Sequence, residues 1–156
     1  MIHFRKAHLN DLITYFDWVS DDSVVENSIS KVKITLEEHT KWFKKSIENH
    51  EKFMLIFFEN KTPIGQVRIE NQNKENVVDI SIDRKFRGKK IGSTILKSSC
   101  IEFLKNNPTS LTAYILKENI ASKKSFEAIG FKFESESEKN GRVFLKFILP
   151  QPQIIT

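Results

Sequence analysis

Apolar and polar positions change period several times along this chain, and each change marks an element. Ile2–Lys6 alternates like a short strand. Asn10 is suited to capping a helix, and Leu12, Ile13, Phe16 and Val19 follow at helical spacing, predicting one apolar face. Residues 20–30 are polar and read as a connection. Thr35-Leu-Glu-Glu38 has the form of a capping box and opens a second helix, with Leu36, Phe43 and Ile47 on its apolar face. Residues 53–58 are a dense β run, 60–63 carry turn chemistry, and 64–70 alternate apolar with polar. After a polar turn at 71–76, the strand period returns over 77–83. A helix is predicted over 91–107, ended by Pro108; a strand over Leu111–Leu116; and a helix over 119–129, stopped by Gly130. Strands at 131–134 and Arg142–Leu149 flank a Lys139-Asn-Gly141 hairpin turn.

No repeat or linker interrupts this series, so residues 1–149 are expected to form one domain and 150–156 a loose tail. Strands alternating with helices, closed by a hairpin, predict an α/β (α+β) fold with a mixed central sheet flanked by helices. The 13 Phe, 2 Trp and 2 Tyr supply ample core material, which argues against disorder. No apolar run approaches the length of a membrane span, and the first residues lack the layout of a signal peptide. A single cysteine, Cys100, cannot form an internal disulfide and fits a reducing cytoplasm. The net charge of +5 admits nucleic acid, an anionic surface or a small polyanion as partner. Lysines greatly outnumber arginines, which disfavours nucleic acid, because bidentate contacts to bases and phosphates favour Arg.

Charge and glycine coincide in Arg84-Lys-Phe-Arg-Gly-Lys-Lys-Ile-Gly-Ser-Thr94, between a strand and a helix. Unpaired amides and the dipole at a helix N-terminus favour an anion, Gly88 and Gly92 permit close approach, and Arg87, Lys89 and Lys90 add full charges. That combination suits a phosphate or pyrophosphate; the alternative is a solvated basic turn. A Walker loop does not fit, since Gly88 and Gly92 stand too close and the following Lys is missing, and no G-x-G-x-x-G is present. His3, His8 and His50 share no metal-ligand spacing with one another or with Cys100, so no catalytic metal is expected.

Arg87-Gly-Lys-Lys-Ile-Gly92 resembles the coenzyme loop of the GNAT acyl-CoA N-acetyltransferases, [QR]-x-x-G-x-[GA], with Lys90 in place of the first motif glycine. A second signature of that family is matched by Asn119-Ile-Ala-Ser122 followed by Phe126-Glu-Ala-Ile-Gly-Phe131, in the same order and separation. The resemblance spans residues 1–149. It implies a single GNAT-like domain whose mostly antiparallel sheet splays beside the strand preceding the loop, with acetyl-CoA as co-substrate and the pantetheine arm in the gap. It further implies that Ile80 and Ile82 offer backbone groups to that arm, Ile82 N–H polarising the thioester carbonyl. The loop residues Arg87, Gly88, Lys89, Lys90, Ile91, Gly92 and Ser93 would hold the pyrophosphate. Asn119, Ser122 and Phe126 would lie beside the coenzyme, although Asn119 is equally suited to capping its helix. Phe126 stands where many members carry a Tyr that protonates the departing thiolate, so water or another group must take that role, or it is dispensable. If Lys90 is helical, its amide can still serve the coenzyme.

Direct attack by an amine needs a route for its proton. Taking residues 64–70 and 77–83 as the splayed pair, alternation puts Gln66, Arg68 and Glu70 on one face and Asp79 and Ser81 on the matching face. Glu70 or Asp79, directly or through water, is the expected base; equally, Glu70 pairs with Arg68 or a neighbouring strand. His39 is either a packed structural residue or an acceptor contact or proton relay, and Trp18, Gln66 and Arg68 complete the expected acceptor set. Trp18, Asp21, Val24, Ser28, Glu38, His39, Trp42 and Phe43 fit a pattern of the GNAT branch found with nucleotide-linked amino-sugar pathways. Asp22 and Val25 replace a Pro and an Arg of that pattern. The resemblance thus implies a small-molecule amine acceptor, a nucleotide-linked 4-amino-sugar first. A protein N-terminus, a polyamine favoured by Asp21, Asp22 and Glu26, and a non-catalytic acyl-CoA sensor stay open, as does a homodimer; nucleic acid is the least favoured partner.

Overall fold

The structure, a computed structural model, describes residues 1–151. Its elements run β1 (Ile2–Lys6), α1 (Leu12–Val19), α2 (Asp22–Glu26), α3 (Leu36–Glu48), β2 (Phe53–Glu59), β3 (Thr62–Gln72) and β4 (Glu75–Ile82), then α4 (Ile91–Leu104), β5 (Leu111–Leu116), α5 (Ile120–Ala128), β6 (Lys132–Lys139) and β7 (Arg142–Leu149). All strands join one seven-stranded sheet in the order β1-β2-β3-β4-β5-β7-β6. Every neighbouring pair is antiparallel except β4 with β5. The expected α/β (α+β) class and mostly antiparallel sheet are therefore present. Most of the expected tail, residues 152–156, lies outside the described residues.

Period-two alternation divides the sheet into two unlike faces. One face sends Leu55, Phe57, Val67, Ile69, Leu111, Ala113 and Ile115 against Ile95, Leu96 and Phe103 of α4. The other sends Met54 and Ile56 against Tyr15 and Trp18 of α1 and Phe43 of α3. Phe43, Phe57 and Phe147 have at most 1% of their surface exposed, and each such burial contributes about 2–3 kcal/mol. Helices thus cover both sides, and polar residues of β3 and β4 line a space shared with α1–α3.

Local rules succeeded where a cap or an apolar stripe was strong. Thr35 Oγ1 accepts from Glu38 N–H at 3.1 Å and Glu38 Oε1 accepts from Thr35 N–H at 3.1 Å, the reciprocal cap that starts α3. Differences arise where tertiary packing rotates a helix. Asn10 does not cap α1; a 3-10 turn at Leu9–Asp11 precedes it, and Tyr15 and Trp18 form its buried side while Ile13 is exposed. On α3, His39 and Ser46 are buried with Phe43, whereas Leu36 faces solvent. β6 extends to Lys139 although every residue in it is exposed, because an edge strand of alternating Ser and Glu has no apolar face to read.

Candidate active site

β3 and β4 pair along their full length, from Gly65↔Ile82 to Gln72↔Glu75, so the splay does not open between them as expected. It opens on the far side of β4, where only Val77↔Thr112 joins β4 to β5. Asp83 N–H donates to Ile64 O at 2.8 Å. Backbone groups alternate in an antiparallel pair, so Ile80 and Ile82 turn their N–H groups away from β3, toward the gap. The gap opens into a cleft of about 990 Å³ that continues between the sheet and the N-terminal helices.

α4 begins at the mouth of this gap, aiming its unpaired amides and positive dipole end toward it. Gly88 (φ 77°) and Lys90 (φ 61°) both adopt left-handed backbone. Lys90 is therefore not helical, and it occupies a conformation that favours glycine. Gly92 is needed for a different reason: a Cβ there would lie 2.7 Å from Ser125 Oγ on α5. The absence of a side chain at Gly92 lets the start of α4 pack closely on α5 beside the gap. Arg87 plays a structural part as well, its Nε donating to Ile82 O at 3.1 Å and its Nη2 pairing with Asp21 at 3.2 Å.

Residues expected to bind coenzyme mostly share this cleft: Ile80, Ile82, Arg87, Gly88, Lys90, Ile91, Gly92, Asn119, Ser122 and Phe126 line it. Lys89 and Ser93 do not. The Lys89 ammonium lies 5.5 Å from the centre of the Phe86 ring, and Ser93 Oγ donates to Lys90 O at 3.3 Å. Asn119 Oδ1 accepts from Ser122 N–H at 3.2 Å, so it caps α5 while facing the cleft. Phe126 is 2% exposed and meets Phe131 edge-on at 4.9 Å between ring centres, a packing role beside the gap.

Of the residues expected to meet the acceptor or its proton, Trp18, His39, Gln66, Arg68 and Asp79 line the cleft. Trp18 Nε1–H donates to Asp83 Oδ2 at 3.0 Å, joining α1 to the strand that leads into the basic loop. His39 Nε2 donates to Leu12 O at 3.0 Å, and burial holds its pKa below the usual value even though that carbonyl works the other way. The ring is thus neutral and helps to fix α1 on α3. Gln66 Nε2 donates to Asp79 Oδ2 and to Ser81 Oγ, both at 3.2 Å.

Glu70 stands apart from this group. It borders a separate cavity of about 280 Å³ with Asn49, Glu51, Lys52 and Asn71. Its carboxylate pairs with Lys52 at 3.1 Å and Arg68 at 3.5 Å. Burial opposes its charge, but Arg68, Lys52 and Gln72 outweigh that and hold its pKa below the ordinary carboxylate value. A base needs a proton-accepting position beside the reacting amine, and Glu70 has neither the place nor the basicity. Its alternative as an ion-pair partner of Arg68 is the arrangement present.

Tyr15 was not among the expected site residues, yet it lines the cleft with its hydroxyl buried and without a hydrogen-bond partner. Its spacing of three from Trp18 was the available signal, masked by the more regular Leu12, Ile13, Phe16 and Val19 series. Among the described residues, no group of three His, Cys, Asp or Glu side chains is arranged to hold a metal ion, and no helix is long and apolar enough to cross a membrane.

The family model described as an acetyltransferase (GNAT) domain matches residues 2–132. The uncharacterized protein MJ1062 of Methanocaldococcus jannaschii is 32% identical over 149 residues. That match covers 92% of this chain, and the chain spans 30% of the length of that relative. Among solved structures, spermidine N-acetyltransferase from Vibrio cholerae, in complex with CoA and spermine, superposes with a TM-score of 0.84 at 14% identity, covering 96% of this chain and 95% of that one. Aminoglycoside acetyltransferase AAC(6')-Ib in complex with coenzyme A gives a TM-score of 0.78 at 16% identity, covering 96% and 95%. At such identities the likeness is one of fold.

Proposed function

The chain belongs to the acetyltransferase (GNAT) domain family and is an acyltransferase domain, and from that premise we propose that it moves the acetyl group of acetyl-CoA to a primary amine on a nucleotide-linked 4-amino-sugar in the cytoplasm. The observation that carries the transfer reaction is the gap between β4 and β5: free strand amides, a helix N-terminus and an acceptor cleft meet in one continuous space. The sugar assignment is supported by the segment around Trp18 and by a cleft lined by Arg68, Lys90 and Lys124 with Asp79 as its one carboxylate among the described residues, a balance suited to a phosphorylated acceptor.

Bound acetyl-CoA supplies an acetyl thioester, already activated toward amines. Ile82 N–H, free of β3, is placed to hydrogen-bond an oxygen that gains negative charge in the gap. Amides at the start of α4, with Lys90, neutralise phosphate at the mouth. Asp79 is three residues before Ile82, about 10 Å along the strand, too far to take a proton directly from an amine at Ile82. Ser81 and Gln66 lie between, bonded to each other, with Gln66 also on Asp79. Asp79 therefore receives the proton through ordered water along these groups, or anchors the acceptor.

Mass spectrometry of products formed from acetyl-CoA and a mixture of UDP-4-amino-sugars, polyamines and N-terminal peptides tests this reading. Acetylation of the amino-sugar is the expected result; exclusive acetylation of peptide N-termini would move the acceptor to another class.

A further inference from the structure

We propose that the acceptor amine carries an anionic group on the same small molecule, held as a charge pair by Arg68 and Asp79, and that these two residues set acceptor specificity. This rests on the acetyltransferase reading above and sharpens it from a sugar to a charge pattern.

Arg68 and Asp79 are direct cross-strand partners on β3 and β4. Their charged atoms lie 3.7 Å apart, and the Arg68 contact to Glu70 is 3.5 Å, neither a hydrogen bond. Glu70 already has the closer Lys52 at 3.1 Å. The Arg68 guanidinium lies 5.0 Å from the centre of the Trp42 ring, which holds its plane at the cleft floor. A guanidinium gains most from a bidentate anion, and a carboxylate from a short N–H donor; their own loose pair gives neither. A ligand bearing both charges supplies each with a matched partner while keeping the floor neutral.

Two buried side chains in the same cleft lack partners of complementary kind. The Tyr15 hydroxyl, on a residue 4% exposed, has a proton to donate and no acceptor. Gln66, 4% exposed, has its amide N–H groups on Asp79 and Ser81, which leaves Oε1 as an acceptor with no donor. Buried polar groups are nearly always paired, so a donor and an acceptor left over in one cleft await a ligand that brings both. An anion satisfies Tyr15 and Arg68; an amine N–H satisfies Gln66, whose own amide is on Ser81 and Asp79, so that Asp79 balances the amine's charge through Gln66 and ordered water.

A polycation finds no comparable site. Asp21 pairs with Arg84 and Arg87, each at 3.2 Å, Asp22 with Lys33 at 2.8 Å and Glu26 with Lys31 at 3.2 Å. Asp79 is the one carboxylate lining the cleft among the described residues.

Matched amines decide the matter: β-alanine against β-alaninamide, glucosamine 6-phosphate against glucosamine, and spermidine. Thiol release from acetyl-CoA gives kcat/KM for each, and calorimetry gives binding of the same amines and of acetyl-CoA. At least one anionic member should exceed its neutral counterpart by about tenfold or more. Comparing the carboxylate and phosphate arms then identifies which anion is read. Arg68→Gln should bring that ratio near one, and Arg68→Lys should keep part of it, with circular dichroism melting to show that both fold. Neutral amines or spermidine used as well as the anionic members would overturn the proposal, as would a ratio unchanged in Arg68→Gln. Arg68-dependent binding of an anionic amine without turnover would uphold the charge pattern and fail only the acetyl-transfer reading. Binding of acetyl-CoA with no amine bound in any arm would overturn the proposal.

Discussion

Lys90 shows how one side chain can be at odds with its own backbone. A non-glycine residue in the left-handed region costs about 1–2 kcal/mol, and glycine returns about half of that as extra freedom in the unfolded chain. Lys90→Gly is therefore expected to raise stability by roughly 0.5 kcal/mol, a shift of about 1–2 °C in a thermal melt. Acetyl-CoA binding should survive, because the amides at the start of α4 remain; a complete loss on titration would show that the ammonium is the principal contact. Asp79 and Glu70 separate the proton route from the framework. Asp79→Asn should lower kcat/KM by about tenfold or more, whereas Glu70→Gln should act mainly on stability. The loop residues that line the cleft were legible because the motif joins residue type to a strand–loop–helix setting. The conformation of Lys90 and the ion pairs of Glu70 were not, since both depend on neighbours far away in sequence.

At the scale of elements, α4 and α5 converge because Gly92 has no side chain. Gly92→Ala places Cβ 2.7 Å from Ser125 Oγ, while the next contact, Ser125 Cβ, is an ordinary 3.5 Å away. Such overpacking costs about 1–3 kcal/mol when the neighbour must shift. We expect Gly92→Ala to weaken acetyl-CoA binding and lower the melting temperature, and Gly92→Ala with Ser125→Ala to restore most of both. Failure of the double variant to recover would mean that the Ser125 contact is not what requires glycine at position 92. Helix and strand existence was readable except at the short α2, which lies in the polar stretch read as a connection, and most securely at α3 with its capping box and at β2 with its dense apolar run. The face that α1 buries was not: its helical period allows two stripes, and Trp18 is fixed by Asp83, a residue 65 positions later.

For the molecule as a whole, the cleft depends on two helical layers holding register across the sheet. Trp18 on Asp83, and Asp21 on Arg84 and Arg87, tie the acceptor side to the coenzyme loop. Asp21→Ala should therefore raise KM for acetyl-CoA and for the acceptor together, each about threefold to tenfold, whereas a purely local role would move one alone. Burial opposes the charge of Asp11, Asp21 and Glu70, yet hydrogen bonds and cations outweigh it and lower all three pKa values. Lowered carboxylates stabilise the folded state fully above their unfolded pKa, near 4, and lose that contribution as pH falls through the folded values. Stability measured by denaturant titration should thus be level above about pH 7, begin to fall below about pH 6.5 as the unfolded chain takes up a proton that buried His39 resists, and fall further below about pH 4. The basic surplus also reads differently at this scale: Arg84 and Arg87 are matched by Asp21, leaving Lys90, Lys124 and Arg68 to face a ligand.

Thiol release from acetyl-CoA, followed with and without an amine across a pH series, tests acetyl transfer in this cleft most directly. Amine-dependent release, matched by N-acetylated product and rising through the pKa of the amine, is the predicted result. Saturable acetyl-CoA binding with no amine-dependent release at any pH would contradict it and identify a coenzyme sensor instead.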